Sequence, residues 1–367
     1  MVVLGGGVIG LAVAWRARQA GLAVTLVDPG DPAGASRIAA GMLAPVTEAH
    51  YGEETLLQLN LVSSQRYPGF IAELEEATGM DCGYSQCGTL AVARDADDNA
   101  ALDDLYTFQE RLDLKVERLR AKECRELEPN LSPRVRGGIL VEHDHQVDPQ
   151  AFMRALSKAC EIAGVVHVGG RARSIEGTAG AVQGVSLDRG DRIVTDKVVV
   201  AAGCWSGSIE GLPEGAASTI RPVKGQLLQL RSRSGEPLAH RNVRGLDVYI
   251  VSRPDGRTVV GATVEEQGFD TTVTAGAAFE LLRDAWELLP GVTEMELVSQ
   301  QAGLRPGTPD NAPLIGGTTV EGLLMATGHY RNGILLAPIT AEVVAGMLAG
   351  RPSPEMAEPF SPRRLGL

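Results

Sequence analysis

MVVLGGGVIGLAVAWRARQAGLAVTLVD, residues 1–28, is the stretch whose reading decides the fold. Residues 1–4 are a short apolar strand. Residues 8–19 repeat apolar positions at helical spacing, and Leu22 to Val27 read as a second strand. Between the first strand and the helix stand Gly5, Gly7 and Gly10 as GxGxxG, with Gly6 as a fourth glycine. A strand, a glycine turn, a helix and a second strand that closes on an acid, Asp28, form a dinucleotide fingerprint. The glycines let backbone approach a pyrophosphate, the helix N-terminus favours its charge, and the Asp28 carboxylate suits ribose hydroxyls. An acid there disfavours a 2′-phosphate, and with it NADP. The run to Trp15 is apolar, but it lacks a basic leader segment and is broken by glycines, so it reads as strand and helix rather than as a signal peptide.

The turn itself does not separate FAD from NAD. Three distant segments bear on that choice. Ser36–Pro45, SRIAAGMLAP, is a small-residue loop that lets backbone lie against a flat ring. Val198–Gly203, VVVAAG, is a strand that ends in a tight turn and suits a second approach to a cofactor. Gly328–Pro338, GHYRNGILLAP, runs into a helix N-terminus that could stabilise negative charge near N1 and O2 of a reduced flavin. The pattern predicts further helices at 54–78, 96–112, 121–127, from Pro149 behind an Asp148 cap, at 275–288 and at 333–349. It predicts strands at 82–94, 137–142, 171–176, 182–187, 196–202, 295–304 and 322–326. The segment 220–263 reads as antiparallel sheet, with a hairpin at Asp255-Gly256 between YIVS and RTVVGATV.

Strand–helix units at both ends with antiparallel sheet between them imply a mixed α/β (α+β) fold. A Rossmann-like FAD-binding domain is built from discontinuous segments, 1–80, 146–212 and 300–367. A substrate domain with a mixed, largely antiparallel sheet takes 81–145 and 213–299.

The chain has 367 residues and a net charge of −12, which argues against nucleic acid as a partner. No stretch is long and apolar enough to span a bilayer. The five cysteines, Cys82, Cys87, Cys124, Cys160 and Cys204, form no CxxC pair. They read as reduced thiols of a cytoplasmic protein, and a zinc site is not expected. His143-Asp144-His145 resembles a metal cluster, but adjacent strand residues point apart, so it reads as a solvated loop. Asp310-Asn311 reads as a turn.

GGGVIG with Asp28, AAGMLAP, AGLRPGTPD at 302–310, GHYRNGILLAP and EPFSPRR at 358–364 together resemble the D-amino-acid oxidase superfamily of FAD-dependent oxidoreductases. In particular they resemble the glycine oxidase family, which serves the thiazole branch of thiamine biosynthesis. Beside the turn glycines Gly5, Gly7 and Gly10, the resemblance implies FAD contacts at Val8, Ile9, Asp28, Pro29, Ala35, Ser36, Ala40, Gly41 and Met42. Further contacts fall at Gly203 and at His329, Tyr330, Arg331, Asn332, Gly333, Ile334 and Leu335. An adenine contact falls at Ala172, where relatives usually carry Val. The flavin is expected to be non-covalent, because 295–325 contains no cysteine. A homotetramer is implied as well.

An amino-acid oxidase must hold a carboxylate, keep the α-amine neutral and point the α C–H at the flavin. Arg is the residue of choice for the carboxylate. Arg305 and Arg331 are the candidates, since both flank the predicted flavin site, and the resemblance favours Arg305 as the main clamp. It also places a carboxylate-binding tyrosine at Tyr249. No side chain is assigned as a catalytic base, since hydride transfer from a neutral amine needs none on carbon, and His329 reads as structural. The activity implied is oxidation of glycine, sarcosine and small D-amino acids, with molecular oxygen as acceptor. A broader D-amino-acid or sarcosine oxidase, or a dehydrogenase with another acceptor, is the alternative.

Overall fold

A computed structural model describes residues 1–178 and 180–367, and for Ala217 the backbone alone. A six-stranded sheet collects three separated parts of the chain. Its order is 314–317, 323–327, 198–200, 2–4, 25–28 and 166–169. Every pair is parallel except 314–317 with 323–327. Parallel strands buried on both faces are apolar throughout, and Val2–Leu4 and Val198–Val200 are fully buried. The first helix, Val8–Gln19, is sandwiched between this sheet and the helices Ala337–Leu348 and Pro149–Ile162. Nine of its twelve residues are therefore buried, and it shows no clean polar face.

The second sheet has eight strands in the order 296–307, 221–231, 257–261, 249–252, 242–244, 89–93, 137–141 and 117–120. All its pairs are antiparallel except 242–244 with 89–93. The expected hairpin lies between 249–252 and 257–261, and Gly256 takes a left-handed φ of +80° in its turn. Asp148 caps its helix by accepting from the Gln150 and Ala151 N–H groups at 2.9 and 3.2 Å.

Several boundaries differ from the sequence reading. The 82–94 strand shrinks to Thr89–Ala93, and the 333–349 helix begins at Ala337 after a run of turns. Strand Glu296–Gly307 lies wholly in the eight-stranded sheet, so a domain boundary at 300 would cut it. Arg305 is consequently a strand residue, held within the sheet. Among the described residues no helix is long and apolar enough to cross a membrane.

Candidate active site

A cavity of about 970 Å³ runs between the two large sheets. At one end sits the glycine turn. Gly5 has a φ of +111°, and a Cβ there would overlap the Ala201 carbonyl. A Cβ at Gly10 would overlap the Gly5 carbonyl, so the helix can start this close to the turn only with glycine at both positions. The Gly7 N-cap makes no side-chain cap bond, and the first helical turn holds no acid. The helix therefore presents a positive end with room for an anion, which fits the pyrophosphate of a dinucleotide. Val8 N–H donates to Ser36 Oγ at 3.0 Å, which ties the 35–42 loop to that end.

The same loop is held from below by a residue the sequence did not single out. Arg253 is buried and donates to the carbonyls of Ala40 and Val147 at 2.8 and 3.2 Å and to Gln146 Oε1 at 3.1 Å. Ala35, Ser36, Ala40, Gly41 and Met42, expected from the sequence as cofactor contacts, share one wall of the cavity. Asp28, Pro29, Ala172 and Gly203 also line the cavity, together with Arg171 and Trp205.

At the other end the eight-stranded sheet supplies Tyr249, Arg305 and Arg244. Tyr249 pairs in register with Gly261 and with Arg244. Gly261 leaves room for the Tyr249 hydroxyl, and Gly225 leaves room for the Arg305 guanidinium to lie across the neighbouring strand, where a Cβ would collide with it. Arg305 Nη1 donates to the Thr263 carbonyl at 3.0 Å. Burial pushes the Tyr249 phenol up, and the adjacent Arg305 guanidinium opposes that.

The three arginines at this end are not equivalent. Arg331 is ion-paired with Glu53. Arg244 Nη1 donates to Glu48 Oε1 at 2.6 Å. Among the described residues no carboxylate lies within 4.0 Å of the Arg305 guanidinium. Of these three, Arg305 is thus the one with spare donors and no counter-charge. The His50 imidazole feels the charges of both ion pairs and is held below the usual range by burial first and by the Arg331 charge second.

Tyr330 sits in the left-handed region, φ +45°, where its N–H reaches the Pro306 carbonyl at 2.9 Å and ties the 328–331 turn to the arginine strand. His329 is buried, and its Nε2 is 3.0 Å from Thr340 Oγ1. Burial pushes this imidazole down to about 3, so it stays neutral near pH 7.

Three of the anticipated contacts do not reach the cavity wall. Gly10 packs under Gly5, and Asn332 and Leu335 turn into the interior, with the Leu335 carbonyl accepting from Ser63 Oγ at 2.6 Å. Glu48, Glu53, His50 and Arg244 were not foreseen. They come from two segments brought together only by folding, and none stands in a glycine-rich motif. The solvated-loop reading of 143–145 holds for His143 and fails for Asp144, which is fully buried. Asp310-Asn311 does form a turn, with Asn311 at φ +57°.

Residues 1–347 match the family model DAO, described as FAD dependent oxidoreductase. The chain is 35% identical to a Synechocystis bifunctional protein ThiO/ThiG over 99% of its own length, but it spans about half of that relative, 54%. It is 33% identical to the glycine oxidase of Bacillus licheniformis, covering 99% of this chain and 96% of that one. The crystal structure of glycine oxidase from Geobacillus kaustophilus superimposes with a TM-score of 0.90 at 31% identity, covering 98% and 97% of the two chains.

Proposed function

From the premise that this chain belongs to the DAO family of FAD-dependent oxidoreductases, we propose that it is a glycine oxidase that converts glycine, and also sarcosine and small D-amino acids, to the corresponding 2-oxo acid. For glycine the balance is glycine, oxygen and water in, and glyoxylate, ammonia and hydrogen peroxide out. The observation that carries the reading is Arg305: a guanidinium on a rigid strand, facing the cavity and lacking a counter-charge. A carboxylate is the ligand that such a fork matches, with two parallel charge-assisted bonds. The Tyr249 hydroxyl, next to Arg305, would donate a further bond to the same carboxylate.

The 5–9 turn, Asp28 and the 35–42 wall would hold FAD non-covalently, and when bound it would supply a two-electron acceptor for the substrate C–H bond, with oxygen as the final oxidant. The protein's own part is to anchor the carboxylate, fix the α-carbon and exclude water. The pairing of Arg244 and Arg331 with carboxylates keeps the rest of the pocket close to neutral, which favours a neutral amine over a second anion. The sequence resemblance to glycine oxidases further supports supply of the imine to thiazole synthesis, a cytoplasmic location and a homotetramer. No nucleic acid or membrane partner forms part of the reading.

Oxygen uptake and peroxide release by the purified holoenzyme should be measured with glycine, sarcosine, D-alanine and D-proline. Glycine and sarcosine should give the highest kcat/KM. D-proline outrunning glycine by a wide margin, or turnover in air without peroxide, would overturn the assignment.

A further inference from the structure

Asp144 has no part in the reading above. Its carboxylate is fully buried and points away from its own turn into the 44–48 segment. Val46 N–H donates to Oδ1 at 3.1 Å, and Thr47 N–H and Thr47 Oγ1 both donate to Oδ2 at 2.7 Å. The other side of the segment is held by Gln109 Nε2, which donates to the Val46 carbonyl at 3.0 Å. Asp144 is itself anchored, its carbonyl accepting from the Thr89 hydroxyl at 3.1 Å.

The residue after this grip is Glu48, whose carboxylate holds Arg244 in the cavity wall. A buried carboxylate costs several kcal/mol of desolvation, and a well-packed apolar group in its place is often neutral or stabilising. That cost is visible here: burial pushes the Asp144 carboxyl up to about 7, against the pull of the Thr47 and Val46 donors, with the Glu48 charge adding to the rise. A group kept at such expense, with all its donors drawn from one turn, serves to place that turn.

We propose that Asp144 is a positioning residue for substrate binding: it fixes the 45–48 turn so that Glu48 stays on Arg244, and Arg305, rather than Arg244 or Arg331, takes the substrate carboxylate. The proposal rests on the assignment of Arg305 as the clamp. If the turn slackens, Glu48 leaves Arg244 and a second uncompensated cation enters the pocket. Small anions then bind more tightly, while glycine is shared between two arginines and aligned less well. General damage to the site would weaken anion binding instead, so the sign separates the two explanations.

The test uses holoenzyme and glycolate as a carboxylate probe, with its Kd read from the flavin absorbance change and glycine kcat/KM read beside it. Glu48→Gln should tighten glycolate about tenfold, the effect of one unscreened charge several ångströms away, and lower kcat/KM. Asp144→Asn should move both quantities the same way by about threefold, and should add nothing further in the Glu48→Gln background, since coupled residues are non-additive. Thr47→Val, which removes one donor and leaves the carboxylate, should act as a weaker Asp144→Asn, and Thr47→Ser should match wild type. Should Asp144→Asn fail to fold, Thr47→Val in both backgrounds answers the same question. Weaker or unchanged glycolate binding in Asp144→Asn or Thr47→Val, or full additivity with Glu48→Gln, overturns the positioning role. Arg305→Ala run in parallel keeps the two assignments apart: undiminished glycolate binding there would instead refute the clamp.

Discussion

Replacing Arg305 with alanine tests the carboxylate clamp most directly. Its guanidinium donates to the Thr263 carbonyl, lines the cavity and has no acid partner among the described residues. Removing one member of a desolvated, hydrogen-bonded charge pair costs on the order of 3 kcal/mol. At about 1.4 kcal/mol per decade, that is a rise in glycine KM of roughly 100- to 200-fold. Arg305→Lys keeps a charge but loses the planar fork, so it should fall between the two. Arg331→Lys retains a cation that can still meet Glu53, and its effect should stay within about threefold, as for a partly exposed pair. Oxygen uptake gives kcat and KM, and anaerobic single-turnover reduction of the flavin gives the substrate Kd, since the two constants need not coincide. Equal effects from Arg305→Ala and Arg331→Lys, or a larger one from Arg331→Lys, would refute the ranking of the arginines by their counter-charges.

Gly10→Ala puts a methyl group into the Gly5 carbonyl, and backbone cannot yield as a flexible side chain does. It should lower the flavin-to-protein ratio and the thermal midpoint together, with a cost of at least about 1–3 kcal/mol. Full flavin content at an unchanged midpoint would show that the turn relaxes freely. His329 has a folded-state pKa, about 3, below its unfolded value. As pH falls, the unfolded chain takes up this proton first, so stability is lost from about pH 6.5 down to about pH 3. His329→Gln, which can still reach Thr340, should therefore lose about 2 kcal/mol less than wild type between pH 7 and pH 5 in urea titrations. Parallel pH slopes for the two proteins would contradict a buried neutral imidazole.

The cofactor end was legible because its physics is local. A glycine that must sit against a carbonyl, a helix that must start one step later and an acid at the end of the next strand all fall within 28 residues. The same locality let Asp148 be read as a cap and Asp255-Gly256 as a hairpin turn. Errors arose where a residue's environment comes from elsewhere in the chain. Asp144 looks solvated beside two histidines, yet its three donors come from residues 46 and 47. Asn332 and Leu335 stand in the same motif as Tyr330 and Arg331, and both are buried away from the cavity wall.

From the sequence alone came the fold class, the dinucleotide turn and the three residues nominated for the substrate, Arg305, Arg331 and Tyr249. Local pattern and family resemblance suffice for those. The tertiary structure alone decided which arginine is free. Glu48 and Glu53 lie about two hundred or more residues from the arginines they neutralise. Charge compensation acts across space within a few ångströms, and spacing along the chain carries no record of it.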